Sequence, residues 1–272
     1  MKVLITGATG LIGTSVWARL ADTPDRYTLK GFDLVGDPGR DIVEGNVADY
    51  NEVRAALEGQ DAVVHLGANG GPGDHWDQMR ESNLVGAYNI FESAREAGVK
   101  RVIFASTGQV TWNYEQEDDL GEVIGGTYDG ESDSYERAQH TWPIRPSGLY
   151  AATKAWGEAL GRYYSDVHSI SVLCIRFSSV NRTDSPLSPT SNINPNDVDM
   201  PGNRSFSLWT SNRDAAQLVQ KCLDAPDDLM YDIFYSGSDN LWGVRDISHA
   251  RDVLGYQPED RAEDFRPKYE GG

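Results

Sequence analysis

A short apolar run, Val3-Leu4-Ile5-Thr6, opens into the glycine-rich turn Gly7-Ala8-Thr9-Gly10-Leu11-Ile12-Gly13, and a helical pattern then continues to about Ala21. This GxxGxxG spacing between a strand and a helix constrains the chain more than any other feature. Small residues let the backbone approach a pyrophosphate, and the helix N-terminus adds amide donors and a favourable dipole. A glycine pattern alone is weak, but here a second apolar run ends at Phe32-Asp33, about 20 residues beyond Gly13, where the dinucleotide fingerprint requires an acid. The spacing therefore predicts a βαβ unit that holds NAD, with Gly7, Gly10, Leu11, Ile12 and Gly13 around the pyrophosphate. Asp33 would accept hydrogen bonds from the adenosine ribose and repel a 2′-phosphate, so NAD is expected in preference to NADP.

The alternation continues through Ile42-Val43, a helix near Glu52 to Leu57, and the strand Ala62-Val63-Val64-His65. A long helix follows from about Asp77 to Glu96, then the strand Val102-Ile103-Phe104-Ala105, a helix from about Gly148 to Ser165 and the strand Ile170 to Phe177. Short apolar strands without polar alternation indicate an α/β fold with a doubly wound parallel sheet covered on both faces. Asn46 and Val47 after the third strand would flank adenine; Gly67 and Ala68 after the fourth would line the cofactor. Residues 1–179 read as the nucleotide-binding domain with the catalytic residues. Residues 180–272 read as a small substrate lobe with closing elements on the same core. Two polar insertions, Asn113 to Thr141 and Asn181 to Asn203, follow sheet strands and are expected to form the substrate lid. Within the first, Glu115, Glu117, Asp118 and Asp119 read as a solvated charge run. The polar end, Arg261 to Gly272, is expected to fray.

Lysine and arginine number 24 against 42 aspartate and glutamate, a net charge of -18. Such a chain repels polyanions, which argues against nucleic acid and acidic membranes as partners. Few of the cations are lysine, and an acidic, lysine-poor surface suits a high-salt cytoplasm where self-repulsion is screened. Cys174 and Cys222 have neither a CxxC context nor a nearby histidine and read as buried thiols in a reducing compartment. No stretch approaches the roughly 18 apolar residues of a membrane span, so a cytoplasmic, soluble protein is expected. His65, His75 and His140 lack metal-ligand spacing, and no metal is expected.

The sharpest chemical signal is Tyr150-Ala151-Ala152-Thr153-Lys154. Tyrosine and lysine four residues apart share a helix face, where the ammonium is expected to lower the phenol's pKa and ready it as a general base. The fifth strand ends Phe104-Ala105-Ser106-Thr107-Gly108-Gln109. With the glycine motif and the YxxxK pair, this resembles the extended short-chain dehydrogenase/reductase family over nearly the whole chain. The resemblance implies that Thr107 is the catalytic hydroxyl, that Ser106, Thr107, Gly108 and Gln109 face the substrate, that Lys154 also binds the nicotinamide ribose, and that Asn83 hydrogen-bonds backbone near the catalytic strand. Homo-oligomers built on paired helices are common in the family.

Arg145-Pro146-Ser147-Gly148-Leu149-Tyr150, Gly157 to Tyr164, and Arg176-Phe177-Ser178-Ser179 resemble a short subgroup of that family. It contains uronate dehydrogenases and haloarchaeal NAD-dependent glucose-6-phosphate dehydrogenases, which oxidise an anomeric hydroxyl to a lactone. The resemblance implies that Ser179 and Arg204 bind substrate, the arginine through its planar fork. Where the subgroup places Asn-His, this chain has Gly108-Gln109, which removes an imidazole from the sugar pocket; a neutral aldose is then as plausible a substrate as a uronate or sugar phosphate. Two other functions share the pattern: a nucleotide-sugar epimerase or dehydratase with tightly bound NAD, and an NAD-binding sensor without turnover.

Overall fold

The computed structural model describes residues 1–70, 75–187 and 204–268. Seven parallel strands form one sheet in the order β3-β2-β1-β4-β5-β6-β7. In chain order these are β1 (Lys2–Thr6), α1 (Leu11–Ala21), β2 (Thr28–Asp33), β3 (Ile42–Glu44), α2 (Tyr50–Leu57) and β4 (Ala62–His65). There follow α3 (Trp76–Met79), a π-helical turn (Arg80–Val85), α4 (Gly86–Ala97), β5 (Arg101–Thr107), α5 (Asp118–Gly125) and α6 (Leu149–His168). The remainder is β6 (Ser171–Phe177), α7 (Arg204–Leu208), α8 (Asn212–Leu223), β7 (Tyr231–Tyr235) and α9 (Ser248–Leu254).

Every residue of β5 and β6 is buried, because helices cover both faces of the sheet and leave no solvent side to favour polar alternation. One core layer joins Val3, Ile5, Val16 and Leu20 to Leu218, Val219 and Leu223 of α8. The other joins Leu4, Phe32 and Val63 to Phe91, Phe104 and Tyr164. The segment after residue 180 thus contributes α8 to the core and β7 to the sheet, where Val172 pairs with Tyr231 and Arg176 with Tyr235. The strand order reverses between β1 and β4, and it is at the carboxyl ends beside such a reversal that open α/β sheets bind ligands.

The first insertion is more ordered than a lid loop. Residues 108–116 coil into a 3₁₀ segment and α5 follows. Leu120, Val123, Tyr135 and Ala138 then build a small core of their own with Leu208 and Val244. Ala138 N donates to Val244 O at 2.9 Å and Asp246 N to Ala138 O at 3.0 Å, which fastens the insertion to the segment after β7. Of the second insertion, residues 188–203 lie outside the described residues, as does the chain end from 269. No described helix is long and apolar enough to cross a membrane.

Candidate active site

The glycine turn is shaped by contacts that a side chain would destroy. Gly7 has φ +69°, and a Cβ there would come within 2.8 Å of Gly67 N. A Cβ on Gly13 would lie 2.1 Å from Gly7 O, so this third glycine serves the packing of α1 on its own turn. Gly10 caps α1 without any side-chain hydrogen bond. The first amides of a helix have no acceptor within it, so those of Leu11 and Ile12 are left for a ligand anion.

The turn forms one wall of a cleft of ≈ 810 Å³ that Gly7, Gly10, Asp33, Asn46, Val47, Gly67 and Ala68 also line. One carboxylate oxygen of Asp33 accepts from Thr9 N at 2.8 Å, which fixes the side chain at the cleft and leaves its other oxygen for a hydroxyl donor. Asn46 accepts from Ala48 N at 3.0 Å, and Val47 O is held by Asn89 at 2.9 Å. An open glycine cradle, an uncapped helix and an anchored carboxylate together fit a dinucleotide.

At the other end of the cleft, Gly70 faces Tyr150, and a Cβ added to Gly70 would touch the ring at 3.5 Å. Tyr150 and Lys154 stand one turn apart at the start of α6. Lys154 is 3% exposed; its Nζ lies 5.1 Å from the Phe104 ring centroid and 5.8 Å from that of Tyr150. No carboxylate pairs with it among the described residues. Burial pushes Lys154 down to about 8 and the Tyr150 phenol up to about 12. The spacing alone predicts that the ammonium lowers the phenol; in the fold desolvation wins, and no hydrogen bond joins the two groups among the described residues. His65, beneath them, donates to or accepts from Thr6 Oγ1 at 2.7 Å. Burial, and then the Lys154 charge, push it down to about 3, so it stays neutral.

Thr107 ends β5, and its Oγ1 accepts from Gln109 N at 3.3 Å. Ser147 N donates to Gln109 O at 3.4 Å and Arg145 N to Val110 O at 2.8 Å, which draws the exit of β5 against the entry to α6. Ser106 takes a different direction from the one implied by the resemblance. Its hydroxyl is buried and donates to Glu158 at 2.6 Å, and Glu158 in turn accepts two bonds from Arg176 at 2.8 and 2.9 Å. Asn83 sits in the π turn. It accepts from Asn69 N at 2.8 Å and donates to Asn69 O at 3.0 Å and Thr153 Oγ1 at 3.1 Å. It thereby ties the loop after β4, not the catalytic strand, to the helix that carries Tyr150.

Ser179 is bridged through its backbone to Trp209. Arg204 begins α7 with its guanidinium 3.7 Å above the Trp112 ring and 3.4 Å from Glu115. Burial, and then the charge of nearby Arg245, lower its affinity for its proton. Two partners of this arrangement were not legible in the sequence. Glu115 is 4% exposed, not a member of a solvated run, and Arg245 binds it at 2.5 Å. Glu117 does face solvent, in a two-bond pair with Arg145. His140, Asp232 and His249, which sequence spacing did not group, offer ligand atoms within 4.8 Å of one another; the two imidazoles stack at 3.8 Å and 11°, and His249 Nε2 pairs with Asp232 at 2.9 Å.

The family model for the NAD dependent epimerase/dehydratase family matches residues 3–181, and the chain belongs to that family. It is an NAD-dependent oxidoreductase of the extended short-chain type. A relative from Haloferax volcanii, NAD-dependent glucose-6-phosphate dehydrogenase, is 32% identical over 97% of this chain and 95% of its own length. A second from the same organism, L-arabinose 1-dehydrogenase (NAD(P)(+)), is 29% identical over 96% of this chain and 97% of its own. A crystal structure of uronate dehydrogenase from Agrobacterium tumefaciens complexed with NAD superimposes with a TM-score of 0.76 at 29% identity, over 99% of this chain and 88% of that one.

Proposed function

We propose that this protein oxidises the anomeric hydroxyl of a sugar to a lactone, with NAD as the hydride acceptor. The observation that carries the reading is the buried, carboxylate-free ammonium of Lys154 beside the Tyr150 phenol, where the dinucleotide cleft meets the end of β5. NAD, held by the glycine turn and Asp33, would supply the acceptor for the C1 hydride. Thr107 aligns the C1 hydroxyl; Tyr150 first gives its own proton to solvent, Lys154 offsets the charge of the phenolate that results, and that phenolate accepts the hydroxyl proton. The C1–H and O–H bonds break as the carbonyl forms, so two electrons leave with the hydride and one proton passes to the protein. Lys154 also hydrogen-bonds the nicotinamide ribose in this reading. Ser179, Gln109 and the backbone of Gly108 face the sugar.

Arg204 bears on the sugar's charge. Glu115 balances only one of the two guanidiniums beside it, and the surplus favours an aldose that carries a carboxylate or phosphate, as a uronate or sugar phosphate does. A panel of D-glucuronate, glucose 6-phosphate and L-arabinose, each with NAD or NADP at low and high salt, tests this by the absorbance of reduced nicotinamide. We expect net NAD reduction, strongest with an anionic sugar and raised by salt. Tyr150→Phe should lower turnover by about 10²–10⁴-fold; turnover by that variant at the wild-type rate would sink the mechanism. A nucleotide-sugar epimerase would recycle its cofactor and show no net reduction.

A further inference from the structure

Glu115 has two arginine neighbours and treats them unequally. Arg245 meets its carboxylate at 2.5 Å with the two side chains 6% and 3% exposed. Arg204 reaches it only at 3.4 Å and is 40% exposed. Arg245 has a further hold, since its Nη1 donates to Ser178 Oγ at 2.9 Å. The guanidinium of Arg204 lies over the Trp112 ring at 3.7 Å, and its Nε, like that of Arg245, is buried with no partner among the described residues. One carboxylate is thus taken by the buried arginine, and the half-exposed one is left with donors to spare.

Gly108 is what admits Arg245. A Cβ at 108 would sit 2.0 Å from Arg245 Nη1 and 2.1 Å from Cζ. The residue that follows the catalytic threonine therefore has no side chain because the guanidinium from the segment after β7 occupies the space.

We propose that Arg245 is a positioning residue for substrate recognition: by holding Glu115 it keeps the fork of Arg204 free for the carboxylate or phosphate of the sugar. This rests on the reading of Arg204 given above. In the absence of Arg245, Glu115 has a single counter-ion in reach and draws Arg204 down off its exposed edge.

The test is steady-state kinetics of the full-length enzyme with D-glucuronate, glucose 6-phosphate and L-arabinose. Arg245→Met should raise KM for the anionic sugars about tenfold while kcat and the KM values for L-arabinose and NAD stay within about twofold. Removing Glu115 as well, in the Arg245→Met/Glu115→Gln double variant, should return the anionic KM to within about threefold of wild type, because nothing then competes for Arg204. Arg245→Lys, which keeps the charge, should fall between wild type and Arg245→Met. A merely structural Arg245 predicts the opposite: equal losses on all three sugars and no recovery in the double variant. Either of those results overturns the proposal. Should Arg245→Met fail to fold, the double variant, which buries no lone charge, decides alone: an anionic KM still raised about tenfold overturns the idea. Arg204→Met separates this from the parent reading. If it leaves the anionic KM unchanged while turnover persists, Arg204 does not bind the sugar at all; if it raises that KM but the Arg245 series does not follow the pattern above, only the positioning role is lost.

Discussion

Lys154 and Arg176 are both cations buried beside the catalytic strand, yet the protein treats them in opposite ways. Arg176 is given two carboxylate bonds from Glu158, the Tyr235 hydroxyl at 3.1 Å and the His140 carbonyl at 3.2 Å. Lys154 is given two aromatic rings and, among the described residues, no carboxylate. Burial pushes Lys154 down to about 8, whereas Arg176, despite its own burial, is held above its ordinary value by Glu158. A charge that only holds the fold together is neutralised within the fold. In the proposed mechanism the charge needed for the reaction is left unneutralised, at a cost in stability, so that it can act on a phenol and a ligand.

The largest effect should come from breaking the satisfied pair. Glu158→Gln leaves Arg176 buried without its counter-charge, and such a break costs about 3–5 kcal/mol. We expect a fall in Tm of about 10 °C by calorimetry, with Ser106 also losing its charged acceptor. Next comes the unsatisfied cation. Its folded pKa of about 8 lies below the ordinary 10.5, so the unfolded chain binds more protons between those values and the penalty fades as pH rises through that window. Lys154→Met should therefore be more stable than wild type by a few kcal/mol at pH 7, each unit of displacement being worth about 1.4 kcal/mol. The gain should shrink from pH 8 and vanish near pH 10.5 in urea titrations, while turnover collapses at every pH. A Lys154→Met protein less stable than wild type at pH 7 would break the comparison. The smallest effect sharpens the cofactor end: Asp33→Asn should raise the preference for NADP relative to NAD by about tenfold, or about 1.4 kcal/mol, measured as the ratio of kcat/KM values.

The sequence made the first of these regions readable and hid the second. The strands, the glycine turn, Asp33 and the Tyr150/Lys154 spacing are local patterns: each is set by backbone conformation or helix periodicity within a few residues, or by the fixed length of a βαβ unit. The sheet order and the cofactor cleft follow from them. Ion pairs between distant segments leave no such trace. Glu115 sits in a run of acids that resembles any solvated loop, and its partner is 130 positions away. Ser106 was placed by neighbourhood with Thr107, but successive residues of a strand face opposite ways, and its hydroxyl goes to Glu158. The phenol's pKa was misjudged for a related reason. Spacing gives proximity to a charge, whereas the desolvation that dominates here depends on what the rest of the chain packs around it.

The close fit of Gly108 against Arg245 also makes two distant positions depend on one another. A side chain at position 108 would meet the end of the Arg245 side chain, so one could be accommodated only if that guanidinium moved. Two positions 137 residues apart, 108 and 245, are thus coupled through one buried guanidinium, and a side chain introduced at 108 should be tolerated better when residue 245 is shortened with it than when Arg245 stays.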